Sequence, residues 1–191
     1  MHSLIGAAII AIAVQAEQIL SALYYFIPEY PEVYRKCSDK PGIEVSDFVD
    51  KSHLDSYFDD KGVHLNGSIL VTWDITQTDH VMMTAELKKF DRGTWQRTVF
   101  LTQIPDFCQS MMDITSFVYQ GWSRHIVPED LQCVGKGIRY RYEPFYVSVE
   151  ISALVNMEGR YKFEIIFKAY DENGRLRPNV CVEMPGDIIS L

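Results

Sequence analysis

The chain is short of basic residues: 18 lysines and arginines stand against 26 aspartates and glutamates, for a formal net charge of -8. Such a surface is repelled at long range by phosphate backbones and anionic membranes, so nucleic acid is not an expected partner. Arg139-Tyr140-Arg141-Tyr142 interleaves base and ring as a nucleic-acid strand would. In an acidic chain it reads instead as an exposed edge carrying solubilising arginines. Histidine is scarce too, with five residues far apart in sequence, and neither G-x-S-x-G nor H-E-x-x-H occurs. Those absences remove the common hydrolytic signatures. His125 is the histidine of first interest, though a surface imidazole is the favoured reading, and a non-enzymatic protein without catalytic residues is expected. The four cysteines form no C-x-x-C and have no paired histidines beside them, which excludes zinc-ribbon and thioredoxin-like readings. Asp47, Asp50, Asp55, Asp59 and Asp60 lack the spacing of a calcium loop and read as a solvated acidic face. Trp73-Asp74 has no sister copies, which excludes a propeller. Neither metal nor cofactor is expected, and no linker-like stretch or internal repeat divides the chain.

Long apolar runs are absent except at the start, where Leu4 to Val14 is uninterrupted and Val14-Gln15-Ala16 precedes the first charge at Glu17. This predicts a cleaved signal peptide over residues 1–16. The run is shorter than the roughly 20 apolar residues a membrane span needs. Gln15, Glu17 and Gln18 argue against the alternative, an anchoring helix extended through Ile27. The mature chain, 17–191, is then a secreted, extracellular single domain with no integral membrane segment. In that compartment Cys37, Cys108, Cys133 and Cys181 are expected in two disulfides, with three pairings open. Asn66-Gly67-Ser68 becomes a possible glycosylation acceptor.

What the sequence does have is alternation. Val63, Leu65, Ile69, Val71, Trp73 and Ile75 share one parity, the pattern of a strand with one buried face. A companion strand runs from Val81 to Leu87, and the polar link 76–79 between them suggests an antiparallel hairpin. Asp91-Arg92-Gly93 turns into a strand over 97–103, where Val99 and Leu101 share a face. Phe145, Val147, Val149 and Ile151 predict a half-buried strand. After a turn at Glu158-Gly159, Tyr161, Phe163, Ile165, Phe167 and Ala169 repeat the pattern, with Lys162, Glu164 and Lys168 outward. Asn173-Gly174 marks the next turn, before Val180, Val182 and Met184. That parity aims Cys181 at the outside of the sheet.

One helix is expected, Pro105 to Gln120, with Phe107, Met111, Ile114 and Val118 on one stripe and Gly121 as its stop. An irregular stretch from Trp122 to Gly137 follows. Large soft side chains are plentiful. Trp73, Met83, Phe107, Met111, Val118, Phe145, Phe163 and Phe167 are the candidate ligand-binding residues, because thioethers and rings adapt to an acyl chain. Ordinary core packing explains the same residues. The loop from Trp122 to Leu131, with Trp122, Arg124 and Ile126, is the candidate contact for a protein partner.

Asp106-Phe107-Cys108 at a helix start, Cys133-Val134-Gly135-Lys136-Gly137, and the strand residues Tyr142-Glu143-Pro144 resemble an insect secreted family that includes the CheB chemosensory proteins. That family is similar in turn to the ganglioside activator protein and, more distantly, to ML lipid-recognition domains. The likeness runs from Cys37 to Cys181. One position departs from it: the family places proline after the cysteine matched by Cys133, where this chain has Val134. The resemblance implies a mainly β fold, an antiparallel β-cup or sandwich with one or two short helices, and the pairings Cys37–Cys181 and Cys108–Cys133. It also implies binding of a lipid or other hydrophobic small molecule without catalysis, in taste or pheromone sensing, with a chemosensory receptor as a partner. The alternative is an extracellular protein-binding module that presents lipid to a receptor or hydrolase.

Overall fold

The computed structural model describes residues 21–59 and 61–190; the expected signal peptide and Asp60 lie outside them. The first strands are β1 (Ala22–Pro28) and the short β2 (Arg35–Lys36), and a single helical turn, α1 (Val45–Phe48), leads into β3 (Val49–Asp59). Then come β4 (Gly62–Val71), β5 (His80–Asp91) and β6 (Thr94–Ile104). Two short helices, α2 (Phe107–Met112) and α3 (Phe117–Gly121), precede β7 (Arg139–Val147), β8 (Val149–Ala153), β9 (Gly159–Tyr170) and β10 (Val180–Ser190). The architecture is mainly β, as expected, with a curled antiparallel sheet. Its larger sheet has the order β6-β5-β9-β10-β1-β8, with β2 alongside β10, and the smaller has the order β3-β4-β7. The main core lies between them: Ile69, Val71, Tyr140 and Tyr142 from the small sheet meet Val81, Met83, Phe167 and Val182 from the large one. Residues 22–27, part of the alternative anchoring helix, belong to β1, a strand between β10 and β8.

Three expectations are corrected. The link 76–79 is not a hairpin turn, because β4 pairs with β3 and β7 whereas β5 pairs with β6 and β9. The alternation was real on both strands, but it specifies a buried face and not a neighbour. Here the two faces meet across the core. Local bonds fix the crossing: the amides of Thr72 and Trp73 donate to the Phe48 carbonyl at 3.0 and 3.1 Å. The Asp79 carboxylate accepts from the Thr76 amide and hydroxyl and from Arg177. Second, the strand expected through Phe145 to Ile151 is two strands, β7 in the small sheet and β8 in the large one, with the change of sheet at Ser148. Third, the expected long helix breaks. Asp113 takes an extended conformation, and its carboxylate accepts from the Thr115 amide and hydroxyl. Ser116 then caps α3 by accepting from the Tyr119 amide at 2.9 Å. The break puts Ile114 off the buried stripe, 64% exposed.

A bulge shapes the inner wall. Leu65 sits opposite Phe145 and Gly67 opposite Tyr142, so β7 advances three residues while β4 advances two. The extra residue falls at Glu143-Pro144, where proline has no N–H to offer a ladder. Because of that slip, Tyr140 and Tyr142 before it and Phe145 and Val147 after it all face the interior. Turns elsewhere follow the sequence signals. Arg92 and Gly93 both have positive φ, 48° and 82°, the two-residue turn that matches strand twist.

The outer face of the large sheet differs from expectation in burial. Lys162 and Glu164 do point outward, yet each is only 1% exposed. The covering element is residues 37–40, held on β10 by the Cys37–Cys181 disulfide and by the Cys37 amide donating to the Cys181 carbonyl at 3.2 Å. Beneath it Glu86, Glu164 and Glu183 form a row across three adjacent strands. Lys88 donates to Glu164 at 2.7 Å and Lys162 to Glu183 at 2.8 Å, while Lys40 pairs with Glu164 from above. Burial alone pulls the Lys88 ammonium down, but its bond to Glu164 and the surrounding carboxylates leave it raised.

Candidate functional site: an apolar cavity between the sheets

The inner faces of the two sheets do not close fully. Between them lies a cavity with about 160 Å³ open to the centre of a water molecule, lined almost wholly by apolar atoms. Seven of the eight residues expected to contact a ligand line it: Trp73, Met83, Phe107, Val118, Phe145, Phe163 and Phe167. Met111 does not; it is fully buried in the packing of α2. The parity of β10 already aimed Val182 and Met184 inward, and both are wall residues. Tyr34, Phe48 and Val149 were missed as wall residues. Tyr34 and Phe48 lie in segments without regular alternation, and Val149 was read as strand interior with no link to the cavity.

One end of the cavity is aromatic. Phe107 stacks on Trp122 at 5.8 Å and meets Phe167 edge-on at 5.1 Å, while Trp122 meets Tyr140 edge-on at 5.6 Å. The Trp122 indole donates to the Tyr142 hydroxyl at 2.9 Å, and that hydroxyl lies 3.4 Å from the Tyr34 hydroxyl. Burial pushes the Tyr34, Tyr140 and Tyr142 phenols above their ordinary range, so they remain protonated donors. The Cys108–Cys133 disulfide joins α2 to the segment carrying Val134, another wall residue. Both disulfides have the pairing the resemblance implied.

The expected partner loop presents less surface than its sequence suggests. Ile126 is 3% exposed and part of the main core, and Trp122 is partly buried and bonded to Tyr142. Arg124 alone of the three is exposed. The loop turns inward because Val127 donates to the Arg141 carbonyl and Asp130 binds the Arg141 guanidinium, drawing Ile126 under β7.

His125 lies flat on Phe145, ring centroids 3.9 Å apart, and its Nε2 accepts from Arg124. Burial first, and the Arg124 charge second, hold its pKa down to about 4 from the ordinary 6.5. The unfolded chain therefore takes up this proton at higher pH than the folded one. The stability His125 contributes is complete above about pH 6.5 and falls away as the pH drops toward 4. In thermal melts, His125→Phe keeps the ring contact and removes the titration. Its melting temperature is expected to gain on the parent's progressively below about pH 6.5; a pH-independent difference would refute this.

Cys37, Glu164 and Glu183 lie close enough to share an ion. The Cys37 sulfur, however, is committed to Cys181 and the two glutamates to lysines. Asp47, Asp50, Asp55 and Asp59 run along α1 and β3, where Asp50 and Asp59 accept from the amides of Ser52 and Lys61. Asn66 is exposed on β4, and Ser68 of its sequon accepts from Arg139 at 3.0 Å. Among the described residues no helix is long and apolar enough to cross a membrane. No family model matches the chain, and no curated protein matches it.

Proposed function

We propose that the protein is a secreted carrier of a lipid or long-chain hydrocarbon, bound without catalysis in the cavity between its two sheets. The cavity carries this reading: both sheets and α3 supply its wall, and none of the wall residues is a lysine, arginine or histidine. Two disulfides support the extracellular setting, since such bridges persist in oxidising compartments. The CheB-like motifs support a ligand drawn from chemosensory compounds. Burial of about ten methylenes at ~0.8 kcal/mol each yields on the order of 8 kcal/mol before ordering costs, enough for roughly micromolar binding.

Native mass spectrometry after exposure to mixed lipids and hydrocarbons tests the proposal. The parent is expected to retain guest. Val147→Trp, which fills the cavity from a partly buried wall position, is expected to lose at least about tenfold in retention, as volume exclusion in a tight pocket requires. If the parent retains nothing, the carrier reading fails. The second reading, presentation of ligand to a receptor or hydrolase, draws support from Met112, Ile114 and Phe117. All three are exposed around the break between α2 and α3, and Phe117 also lines the cavity.

A further inference from the structure

The aromatic end of the cavity holds more hydrogen-bond donors than acceptors. Three polar hydrogens meet there: the Trp122 indole N–H, the Tyr142 hydroxyl and the Tyr34 hydroxyl. Among the described residues, the acceptors that these hydrogens meet are the two hydroxyl oxygens. The Trp122 hydrogen goes to Tyr142, and the two tyrosines share one hydrogen between them in either direction. One hydroxyl hydrogen is therefore left without an acceptor. Tyr34 and Trp122 line the cavity and Tyr142 does not. When Tyr142 donates to Tyr34, the unsatisfied hydrogen is the Tyr34 one, on a residue that lines the cavity. A buried donor without a partner costs about 1–3 kcal/mol. A water bound there would find few of the further polar partners it needs in a wall so apolar.

We propose that the ligand carries a neutral carbonyl oxygen, as in a fatty ester, aldehyde or ketone, and that the Tyr34 hydroxyl donates to it. This rests on the carrier reading and narrows it. A plain hydrocarbon would leave the donor unsatisfied. An alcohol would accept the hydrogen but bring another of its own that finds no acceptor. A carboxylate would enter without a cation, because no lysine, arginine or histidine is among the wall residues, and an unpaired buried charge is strongly disfavoured. A carbonyl oxygen accepts and adds no donor.

Competition between methyl laurate, laurate and tetradecane for the folded, disulfide-bonded protein, read by extraction and gas chromatography, tests the inference. The ester is expected to be preferred over the alkane by about five- to tenfold, the range of one net hydrogen bond. At neutral pH it is expected to be preferred over laurate as well. Tyr34→Phe is expected to bring ester and alkane to within about twofold, through weaker ester uptake with the alkane unchanged, on the same hydrogen-bond scale. Tyr142→Phe keeps the wall hydroxyl and is expected to keep the preference. Independently of any variant, the infrared carbonyl band of bound methyl laurate in the parent should lie below its position in alkane solution. Equal uptake of ester and alkane, an unshifted band, or an ester preference that survives Tyr34→Phe each overturn the assignment while leaving the carrier reading intact. Uptake of none of the probes overturns both.

Discussion

Replacing Cys37 and Cys181 together by alanine is expected to lower the unfolding free energy by about 5 kcal/mol, against about 3.5 kcal/mol for replacing Cys108 and Cys133. Loop-closure entropy gives this order, because the first bridge spans 144 residues and the second 25. The first bridge also holds a cover. Residues 37–40 shield Lys88, Lys162, Glu164 and Glu183, with the Ser38 amide and hydroxyl both donating to Glu183 at 3.3 Å. Freed from Cys181, that segment keeps the Ser38 bonds, the Cys37 amide bond to the Cys181 carbonyl and ion pairs that reach the surface, and pairs of that kind are worth little in water. Urea titrations of the two double variants under non-reducing conditions measure the order. Amine labelling under native conditions measures the cover, with Lys162 expected to become reactive only when the Cys37–Cys181 bridge is absent. A larger loss from the shorter bridge, or a Lys162 equally unreactive in both variants, contradicts the account.

Which side chains face inward was legible in the sequence; of the strand neighbours, only those joined by a marked turn were, β5 with β6 and β9 with β10. The parity of β9 and β10 placed Phe163, Phe167, Val182 and Met184 on the inner face, because a one-residue shift would expose the whole set. The same parity aimed Cys181 outward, where its bridge clamps the cover. The other strand partners escaped the reading because alternation is a property of one strand, whereas pairing depends on where the chain crosses between layers. The crossing at 72–79 is held by long-range bonds such as Trp73 Nε1 to the Pro178 carbonyl at 3.0 Å. Nothing in the local pattern announces a partner 105 residues away. Helix length failed for a related reason: the apolar stripe continued through Ile114, but Asp113 and Ser116 bond to nearby amides and favour a break. The cavity wall was largely legible and its polar end was not. Tyr34 sits in a short irregular segment, and only the fold brings its hydroxyl to Tyr142, 108 residues on. The burial of Lys162 and Glu164 was illegible too. A strand pattern distinguishes two faces, and a cover supplied by residues 37–40 lies outside its reach.

That buried charge layer sets the second large effect. Lys162→Met is expected to destabilise the protein by about 3–5 kcal/mol, the usual cost of stranding a charge inside a folded chain. Lys162 bonds Glu183 at 2.8 Å, lies 3.6 Å from Asp39 and 3.8 Å from Glu164, and sits 5.3 Å above the Trp95 ring. Methionine preserves the length and packing of the stem, so what is lost is the charge. Glu183 then faces Glu164 across the ladder with the Ser38 donors beside it. Like charges directly opposite in a sheet repel. The double variant Lys162→Met and Glu183→Met removes the pair together, and it is expected to regain most of the loss, since a well-packed apolar pair is often as stable as a buried ion pair. Unfolding free energies of the two single and the double variant form a cycle that isolates the coupling. A single-variant loss below about 1 kcal/mol would mean that the pair behaves as an exposed one. The cover at residues 37–40 would then not exclude water from it. A large loss with no recovery in the double variant would assign the effect to packing against Trp95 and remove charge from the explanation.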